Sequence, residues 1–565
     1  MRLAEEVKKF FKGETYEDTT TLDIYSRDAS LFKVKPKLVV YPKDREDIEN
    51  LVRFVNRNKS TYPELSITIR AAGSDMSGGP LNESIIVDVT KHINKIGKVV
   101  KKGKKNEPGL RHDEAGYVLA EAGAFYRDFE KKTLARDLIL PCYTASKNLC
   151  AMGGMVANNS GGQMSLRYGK MEDFVKSAKY IFSDGREYEV KPLSKTELEA
   201  KITQGDFEGN LYKKIYNLLE DNKQLIQSAK PQVSKNSAGY YLWNVWDGKV
   251  FDLNKLLTGA QGTLGVMTEA SISLVSVEKS SRLLVIFLSD LDKLAEIVNS
   301  ILRAEPDSIE SYDDATMKLA WKFFPEILRA MKPKHFFSLL LSFIPEFLMM
   351  LSGGVPKLIL LVECSGKTDK EAIDKMDKLE LAIHPFKVIS RKTISREESE
   401  KYWTIRRESF NLLRKHLHGM RTAPFVDDVV VSPEDMPEFL PKMRAILDEY
   451  KLNYTIAGHA GNGNFHIIPL MDLKKHNNVR VIKEVGERVY NLVGEYHGSI
   501  TGEHNDGIVR TPYLRKMYKP EVLELFKRVK QIFDPQNIFN PGKKVPSTSS
   551  GQAGGFQYLE DHIDF

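Results

Sequence analysis

"RAAGSDMSGGPLNESIIVDVT", residues 70 to 90, places a turn rich in small residues between two apolar runs. The small residues are Gly73, Ser74, Ser77, Gly78 and Gly79. Such residues let successive backbone N–H groups approach an anion closely, which is the geometry that binds a pyrophosphate. Because the stretch matches neither G-x-G-x-x-G nor a Walker loop, it is compatible both with a phosphate site and with an ordinary glycine turn.

The residues before and within this stretch alternate between apolar runs and a helical pattern. β-branched runs occur in "KLVVYP", "LSITIRAAGS" and "SIIVDVT", and "DREDIENLVRFVNRN" lies between the first two. We expect the helix to begin after an N-cap at Asp44 and the strands to be buried. The pattern over residues 35 to 95 is typical of an α/β domain.

Length and composition limit the class of protein. The chain has 565 residues and a mass of 64.2 kDa, which predicts two or three domains, each with its own core. Charged residues make up 28% and hydrophobic residues 42%, as in a soluble globular protein. The net charge of +7 is mild, and the basic residues form no extended stripe with interleaved aromatics, which argues against nucleic-acid binding. A weakly basic face toward anionic lipid stays open.

The cysteines and the N-terminus bear on the compartment. Cys142, Cys150 and Cys364 form no C-x-x-C pair, which argues against zinc ribbons, thioredoxin-type motifs and a built-in iron–sulfur cluster. The compartment is expected to be reducing. "MRLAEEVKKFFKGETYED" carries charges within every apolar stretch, unlike a secretory signal. We therefore expect a cytoplasmic protein.

One apolar segment approaches membrane character. "HFFSLLLSFIPEFLMMLSGG" begins at His335, and Pro345 and Glu346 interrupt it short of the roughly 20 apolar residues that a span requires. Two readings remain for it: a buried helix, or a helix lying on the bilayer surface, which would make the protein peripheral at the inner face of the membrane.

Two further segments are rich in glycine. "PCYTASKNLCAMGGMVANNSGGQMSLRYG", residues 141 to 169, shows no clear helical or strand period, and a long irregular stretch inside a compact domain is usually functional or disordered. Its apolar residues argue against disorder, so a bound ligand is expected there. "KLLTGAQGTLGVMTEASISLV", residues 255 to 275, predicts a glycine-rich turn followed by a strand. Beyond it, helices alternate with strands such as "PKLILLVECSG", as in a second α/β domain.

These segments resemble a known family. "RAAGSDMSGG", "AMGGMVANNSGG" followed by "RYG", and "LLTGAQGTLGVMTEA" resemble, in order and spacing, the FAD domain of the vanillyl-alcohol oxidase and p-cresol methylhydroxylase superfamily. "GHAGNGNFH", "GSITGEHNDG" and "FDPQNIFNPGK" resemble its D-lactate, glycolate and D-2-hydroxyglutarate dehydrogenase branch. The resemblance implies an α+β fold with a two-part FAD-binding domain of the p-cresol methylhydroxylase type, an α/β cap for substrate and metal, and a C-terminal segment that returns to the FAD domain. The expected boundaries are 1–278, 279–512 and 513–545, with a tail at 546–565.

The same resemblance implies which residues contact FAD. They are Ala71, Ala72, Gly73, Ser74, Asp75, Ser77, Gly153, Gly154, Asn158, Gly262 and Val266. Relatives that attach flavin covalently through the first loop have a histidine where this chain has Ser74, so non-covalent binding is expected. Gln261 stands where many relatives carry glutamate, and "YTAS" replaces an Asp-Pro-Ser-like turn. Either departure can alter flavin affinity or potential.

A second set of residues suggests a metal. His459 and His466 flank the glycines of "GHAGNGNFH", and a glycine bend between short extended arms can bring both imidazoles together. Glu503 and His504 are adjacent on an expected short strand or at its end, so they would point to opposite faces. As a bare pattern, the histidines are also compatible with a turn that only hydrogen-bonds backbone. The resemblance implies metal ligands at His459, His466 and Glu503, with Zn²⁺ or Mn²⁺ as the expected ions.

The resemblance also implies a chemistry. A divalent metal bound by the hydroxyl and carboxylate of a 2-hydroxy acid acts as a Lewis acid, His504 takes the hydroxyl proton, and flavin accepts the hydride. Arg406 and Arg407, on an expected helix, offer a cation for the substrate carboxylate, or are a solvated pair. Hydroxyglutarate enzymes have a lysine and an asparagine where this chain has Val426 and Ile468. A smaller or more apolar acid, such as D-lactate, is therefore expected.

The predicted partners and alternatives follow from this reading. Electrons would pass to a quinone, an electron-transfer flavoprotein or a separate iron–sulfur protein, and a homodimer is compatible with the sequence. One alternative is a non-catalytic flavoprotein subunit or a non-redox relative resembling alkyl-dihydroxyacetone-phosphate synthase. Another is a zinc hydrolase using the two histidines and Glu503, which leaves the glycine-rich segments without a role.

Overall fold

The computed structural model describes residues 2–102, 114–331, 343–344, 354–393, 396–416, 419–474, 477–545 and 555–564. Nearly all of the apolar segment that begins at His335 lies outside these residues, and its predicted helix stays a prediction. Within the described ranges, no helix combines the length and the apolar character needed to cross a membrane.

An N-terminal sheet contains the first glycine-rich turn. Its strands, in spatial order, are Glu14–Tyr16, Leu38–Tyr41, Ile85–Asp88 and Ile67–Arg70. The last three are parallel to one another and nearly fully buried, as their β-branched runs predict. The helix Arg45–Asn58 lies in the chain between the strands Leu38–Tyr41 and Ile67–Arg70, and the Asp44 carboxylate caps it by accepting from the Asp47 N–H at 3.1 Å. The predicted strands, helix and cap are confirmed.

A central antiparallel sheet follows in the chain. Its strands are Val100–Lys101, Gly116–Glu121, Leu138–Ile139, Val175–Ile181, Glu187–Val190 and Val266–Ser276. The last of these pairs with Gly116–Glu121 on one side and with Val175–Ile181 on the other. It is the strand predicted after the third glycine-rich turn.

The segment 141 to 169 is less irregular than the sequence predicts. It contains the short helices Met152–Asn158 and Ser165–Tyr168. The first buries Met152, Met155 and Val156, and ends where the backbone becomes left-handed. Glycine within so short a helix hides its period, which is why the sequence indicates no element there.

The second half of the chain contains a C-terminal antiparallel sheet. Its strands, in spatial order, are Ile389–Lys392, Ser280–Leu288, Leu358–Gly366, Ser308–Asp313, Ile456–His459, Asn464–Ile467 and Val429–Val430. The helices around it include Leu294–Leu302, Asp314–Lys322, Asp369–Ile383, Arg396–His416 and Met436–Glu449. The predicted alternation of helices and strands is present, and every strand pair of this sheet is antiparallel in the described residues.

The chain then returns to its first half. After the helix Pro520–Phe533, the Ile67 N–H donates to the Ile538 carbonyl at 2.7 Å, so this segment extends along the N-terminal sheet. The remaining helices are Leu3–Lys8, Thr19–Tyr25, Tyr126–Leu134, Lys195–Ile202, Phe207–Asp221, Lys223–Ala229, Asn254–Leu257, Phe324–Ala330, Asn477–Glu495, Gly507–Arg510 and Phe556–Asp561. Short strand pairs join Leu193–Ser194 to Val250–Phe251 and Arg421–Thr422 to Leu470–Met471. The expected return is observed, while the numerical domain boundaries stay predictions.

Candidate functional site

A cavity of about 1390 Å³ lies between the glycine-rich segments and the C-terminal sheet. It is lined by most of the residues singled out from the sequence: Ala71, Ala72, Gly73, Ser74, Asp75, Gly153, Gly154, Asn158, Gly262, Arg406, Arg407, His459, His466, Glu503 and His504. Ser77 and Val266 are fully buried behind its wall instead, because the Ser77 N–H and hydroxyl both bond to Asp75 and Val266 begins the central strand. The structure thus brings the predicted cofactor and metal residues to one space.

The glycine-rich wall presents backbone to the cavity. Gly73 and Gly262 both have φ of +67°, a left-handed conformation that side chains rarely adopt. A Cβ on Gly73 would lie 2.4 Å from Arg70 Nη2, and one on Gly154 would meet only the Ala71 Cβ, at 3.6 Å. In the described part of the chain, the N–H groups of Gly73 and Ser74 find no protein acceptor. Unpaired donors on an open backbone wall fit the pyrophosphate of a dinucleotide.

The side chains behind this wall bond to one another. Asp75 accepts from the Ser77 N–H at 2.7 Å and from Asn158 Nδ2 at 3.0 Å. Gln261, with a left-handed φ of 50°, donates to Ser77 Oγ at 3.2 Å and accepts from the Gly507 N–H at 2.9 Å. The hydrogen bond between Asp75 and Asn158 therefore joins the first glycine-rich segment to the second. Gln261 links all three glycine-rich segments to the segment that carries the predicted base.

The two histidines share one face of the C-terminal sheet. Strand Ile456–His459 pairs with Asn464–Ile467, with Ala457 opposite His466, so the imidazoles of His459 and His466 project to the same side. Their ring centroids are 5.2 Å apart. Gly463 closes the turn at φ +63°, where a Cβ would lie 1.8 Å from a neighbouring carbonyl oxygen. The predicted glycine bend between extended arms is observed.

Carboxylates face both nitrogens of each ring. Glu503 Oε1 lies 3.1 Å from His459 Nε2 and 3.4 Å from His466 Nε2. On the far side of the rings, His459 Nδ1 lies 2.6 Å from Glu310, and His466 Nδ1 lies 3.3 Å from Asp427. A carboxylate that accepts from Nδ1–H keeps the proton on that nitrogen and leaves the Nε2 lone pair free to bind a metal, as in the carboxylate–histidine pairs of metal sites. The donor set therefore fits a divalent cation.

His504 has a separate position beside this set. Its Nδ1 lies 2.7 Å from Asp427, and its backbone N–H and that of Glu503 donate to Asp428 at 2.7 and 2.8 Å. The prediction that Glu503 and His504 lie on a short strand or at its end is wrong. They lie on a bend, and Asp428 accepts from the backbone N–H groups of both residues. Asp428 and Asn505 both have left-handed φ, at 69° and 68°. The two side chains nevertheless point to different partners, as the prediction required.

A second ligand set also converges. One atom each of Asp428, His466, Glu503 and His504 lie within 4.8 Å of one another. Asp428 is already engaged, because its two oxygens accept from Asn464 Nδ2 at 2.9 Å, a hydroxyl and two backbone N–H groups. We therefore favour His459, His466 and Glu503 as the ligands, with His504 outside the set.

The charges around the rings are mostly negative. Burial opposes the imidazolium of His466, but Asp427 and Glu503 outweigh it and raise its pKa to about 10. Burial likewise opposes ionisation of Glu503, but Lys235 and His459 hold the pKa of its carboxyl well below its usual range. Lys235 is 1% exposed and lies 3.0 Å from Glu503 Oε2, which leaves Oε1 to face the histidines. A bound cation would therefore stabilise this group of buried carboxylates.

The two arginines differ in environment. Arg406 is 16% exposed and forms an ion pair with Glu310, the acid that also bonds to His459. Its Nε is buried and has no partner among the described residues. Arg407 is 57% exposed and pairs with Glu400 at 2.9 Å. The predicted helix that carries them is confirmed, and Arg406 is the one with a buried donor that has no partner among the described residues.

Sequence reasoning missed several residues of the site. Glu310, Asp427 and Lys235 hold the predicted residues in place, yet none of them stands in a glycine-rich motif. One signal was available: Glu310 lies in "SIESYD", a strand that is buried throughout, where an unpaired acid would be unfavourable.

We expect the stability of the protein to fall between about pH 4 and 7 because of Asp28. Burial and the charge of Asp75 raise the pKa of Asp28 to about 7, above the ordinary carboxyl value that applies when the chain is unfolded. The folded state therefore holds this proton more tightly, and its stabilising effect is lost as pH rises through that window. Because asparagine does not titrate, we expect the Asp28→Asn variant to lack this loss of stability with rising pH. Melting temperatures at pH 5 and 8 test this; an identical pH slope in both proteins would contradict it.

Comparison with known proteins gives two family matches. A model described as "FAD binding domain" matches residues 36–191, and one described as "FAD linked oxidases, C-terminal domain" matches residues 277–544. The chain is 28% identical over 551 residues to D-2-hydroxyglutarate dehydrogenase of Escherichia coli (strain K12), covering 95% of this chain and 51% of that protein. It thus spans about half the length of that relative. It is 24% identical to glycolate oxidase subunit GlcD of Bacillus subtilis (strain 168), covering 92% of this chain and 91% of that one.

Solved structures share the fold. That of p-cresol methylhydroxylase with substrate bound is 12% identical, has a TM-score of 0.66, and the match covers 96% of this chain and 97% of that one. An alkyldihydroxyacetonephosphate synthase is 15% identical with a TM-score of 0.62, covering 95% and 85%. At these identities the likeness concerns the fold alone, and the expected p-cresol methylhydroxylase type of fold is confirmed.

Proposed function

Because the chain belongs to the FAD-linked oxidases, we propose that it oxidises a small D-2-hydroxy acid to the 2-oxo acid. One observation carries this proposal: the backbone wall that fits a dinucleotide and the histidine–carboxylate cluster line the same cavity. The names of two relatives, a D-2-hydroxyglutarate dehydrogenase and a glycolate oxidase subunit, support the substrate class.

The reaction removes a proton from the substrate hydroxyl and a hydride from the α-carbon, which becomes a carbonyl carbon. FAD supplies the hydride acceptor and is bound without a covalent link, since Ser74 stands where relatives that attach flavin covalently through this loop have a histidine. A divalent cation held by His459, His466 and Glu503, Zn²⁺ or Mn²⁺, would supply a Lewis acid. His504 receives the hydroxyl proton at Nε2, because Asp427 occupies its Nδ1 at 2.7 Å.

Arg406 binds the substrate carboxylate in this proposal. Its buried Nε has no partner among the described residues, and its ion pair with Glu310 holds the guanidinium beside His459. Arg406→Ala is expected to lower kcat/KM by roughly 100-fold, because a buried charged hydrogen bond is lost. Arg407 lies on the same helix but is mostly exposed and paired with Glu400, so Arg407→Ala is the matched control. Its kcat/KM should stay within about threefold of the wild-type value. Equal effects of the two substitutions would count against this assignment.

The substrate is a small acid such as D-lactate. Val426 is fully buried, and Ile468 lines the cavity, where hydroxyglutarate enzymes carry a lysine and an asparagine. Neither side chain can hold a second carboxylate. Electrons then pass to a quinone, an electron-transfer flavoprotein or a separate iron–sulfur protein. A cytoplasmic location, a peripheral membrane contact and a homodimer stay predictions.

The direct test is oxidation coupled to an artificial electron acceptor. FAD-saturated protein would be assayed with D-lactate, glycolate, L-lactate and D-2-hydroxyglutarate, before and after treatment with a chelator. We expect D-lactate or glycolate to be oxidised fastest, with activity lost to the chelator and restored by Zn²⁺ or Mn²⁺. Protein that carries FAD and oxidises none of the four acids would refute the proposal.

A non-redox flavoprotein is the second candidate, since the fold is shared with an alkyldihydroxyacetonephosphate synthase. It predicts FAD that no 2-hydroxy acid reduces, and the same assay separates the two. The zinc hydrolase alternative leaves the FAD-binding segment without a role. It would require hydrolytic activity that survives removal of FAD.

A further inference from the structure

The polar surface of the cavity continues beyond the histidines along the C-terminal sheet. Ser308 is opposite Glu363 and two residues before Glu310, so both acids project to the face that carries His459. Ser281 is two residues before Leu283, which is opposite Glu363, and shares this face. Glu363 lies two strands from the histidines, about 10 Å across the sheet. It lines the cavity together with Ser281.

Groups from both halves of the chain meet at Glu363. Ser281 Oγ donates to Glu363 Oε1 at 2.8 Å, and Gln163 Nε2, from the second glycine-rich segment, donates to Oε2 at 2.6 Å. Each oxygen keeps a second lone pair, and the side chain is partly accessible where it lines the cavity. Glu363 therefore offers acceptors to a bound ligand.

Tyr143 adds a hydroxyl donor beside Gln163, since a Cβ on Gly162 would lie 2.1 Å from the Tyr143 carbonyl oxygen. It lines the cavity, and burial together with the charges of Glu363, Glu130 and Glu310 raises its pKa to about 12. Its hydroxyl therefore keeps its proton at neutral pH. Tyr143 belongs to "YTAS", the turn in which this chain departs from the family pattern.

The cations that line this part of the cavity are already paired or exposed. Lys147, whose Nζ lies 4.7 Å from the Tyr143 ring centre, pairs with Glu130 at 3.0 Å. Arg282 pairs with Asp369 at 3.3 Å, Arg407 pairs with Glu400 at 2.9 Å, and Lys279 is exposed to solvent. Burial together with the charges of Asp307 and Glu310 raises the pKa of Glu363, so this group of acids already opposes negative charge and a second carboxylate on a ligand would be disfavoured beside it. A ligand hydroxyl would instead donate a hydrogen bond to the Glu363 carboxylate and accept one from the Tyr143 hydroxyl.

We propose that Glu363, Ser281, Gln163 and Tyr143 form a subsite for the tail of the substrate, and that it selects a hydroxyl-bearing tail over a second carboxylate. This inference rests on the proposed oxidation of a 2-hydroxy acid and names the class of acid. The class is a dihydroxy or polyhydroxy acid whose distal carbon carries an uncharged hydroxyl group.

Three acids of equal chain length test the subsite. (R)-2-Hydroxybutanoate, (R)-2,4-dihydroxybutanoate and (R)-malate differ only in a CH₃, CH₂OH or COO⁻ group at the fourth carbon. With FAD-saturated wild-type protein, we expect kcat/KM for the dihydroxy acid to exceed that of the other two about tenfold or more. Equal values for all three acids, or a preference for malate, would overturn the subsite.

Substitutions assign the selectivity to residues. Glu363→Gln removes the charge but keeps an acceptor, so the ratio of kcat/KM for malate to that for hydroxybutanoate should rise about tenfold. Glu114→Gln removes a buried acid that pairs with Lys176 and Lys102 outside the cavity, so it is the control and should leave the ratio unchanged. An unchanged ratio in Glu363→Gln that retains FAD and its melting temperature would also overturn the subsite.

Two milder variants keep the test decisive if Glu363→Gln does not fold. Tyr143→Phe and Ser281→Ala each remove one hydroxyl, and each should reduce the preference for the dihydroxy acid about threefold or more. No change in either variant contradicts the subsite. Oxidation of all three acids at equal rates refutes the subsite alone, whereas FAD-loaded protein that oxidises neither these three acids nor D-lactate or glycolate refutes the proposed function.

Discussion

Replacing His504 with alanine is expected to lower the rate of FAD reduction by a D-2-hydroxy acid about 10²- to 10⁴-fold. In the proposed reaction this imidazole accepts the hydroxyl proton at Nε2, because Asp427 lies 2.7 Å from its Nδ1 and His504 lines the cavity. FAD should stay bound, since the Gly507 N–H that bonds to Gln261 does not depend on the His504 side chain. Stopped-flow absorbance of the flavin measures the reduction rate directly.

His384→Ala is the control for this substitution, because His384 is exposed on a short turn outside the cavity. Its reduction rate should match that of the wild type. If His504→Ala reduced its flavin as fast as the wild type, the proton would have to leave through another group.

Replacing Glu503 with glutamine is expected to release the metal and to lower kcat/KM by roughly 100-fold or more. Glu503 Oε1 faces both histidine Nε2 atoms, and a neutral amide is a much weaker ligand for a divalent cation than a carboxylate. The change also leaves Lys235 buried without its charged partner, so the melting temperature should fall. Metal and FAD contents, measured on the same samples, separate metal loss from unfolding.

Glu114→Gln provides a control matched for loss of a buried acid. Glu114 pairs with Lys176 at 2.7 Å and with Lys102 at 3.0 Å, on the central sheet side of the molecule rather than on the cavity. It should lower the melting temperature but leave the metal bound. A wild-type protein that takes up no stoichiometric Zn²⁺ or Mn²⁺, or a Glu503→Gln variant that retains its metal, would refute the ligand set.

The parts of the fold that the sequence predicts are those with a local cause. The runs "KLVVYP" and "SIIVDVT" become buried parallel strands because β-branched residues fit a pleated interior, and Asp44 caps its helix through a bond three residues away. The bend between His459 and His466 follows in the same way from the left-handed backbone of Gly463. Each of these depends on neighbours within a few positions.

The rest depends on residues far apart in the chain. Lys235 meets Glu503 only after the two halves of the chain have packed together, and Glu310 meets His459 only through strand register. Ser77 is a related case: its place in the motif predicts a ligand contact, whereas in the structure its N–H and hydroxyl bond to Asp75, which the motif alone does not indicate. Partners of this kind follow from tertiary packing, and no local pattern in one sequence specifies them.

The central claim is that a 2-hydroxy acid reduces FAD in this cavity. We would record the visible spectrum of the purified, FAD-loaded protein without oxygen, before and after adding D-lactate, with L-lactate and D-2-hydroxyglutarate as comparisons. Our account predicts that D-lactate bleaches the oxidised flavin bands and that L-lactate does not. An FAD spectrum that none of these acids changes would contradict it.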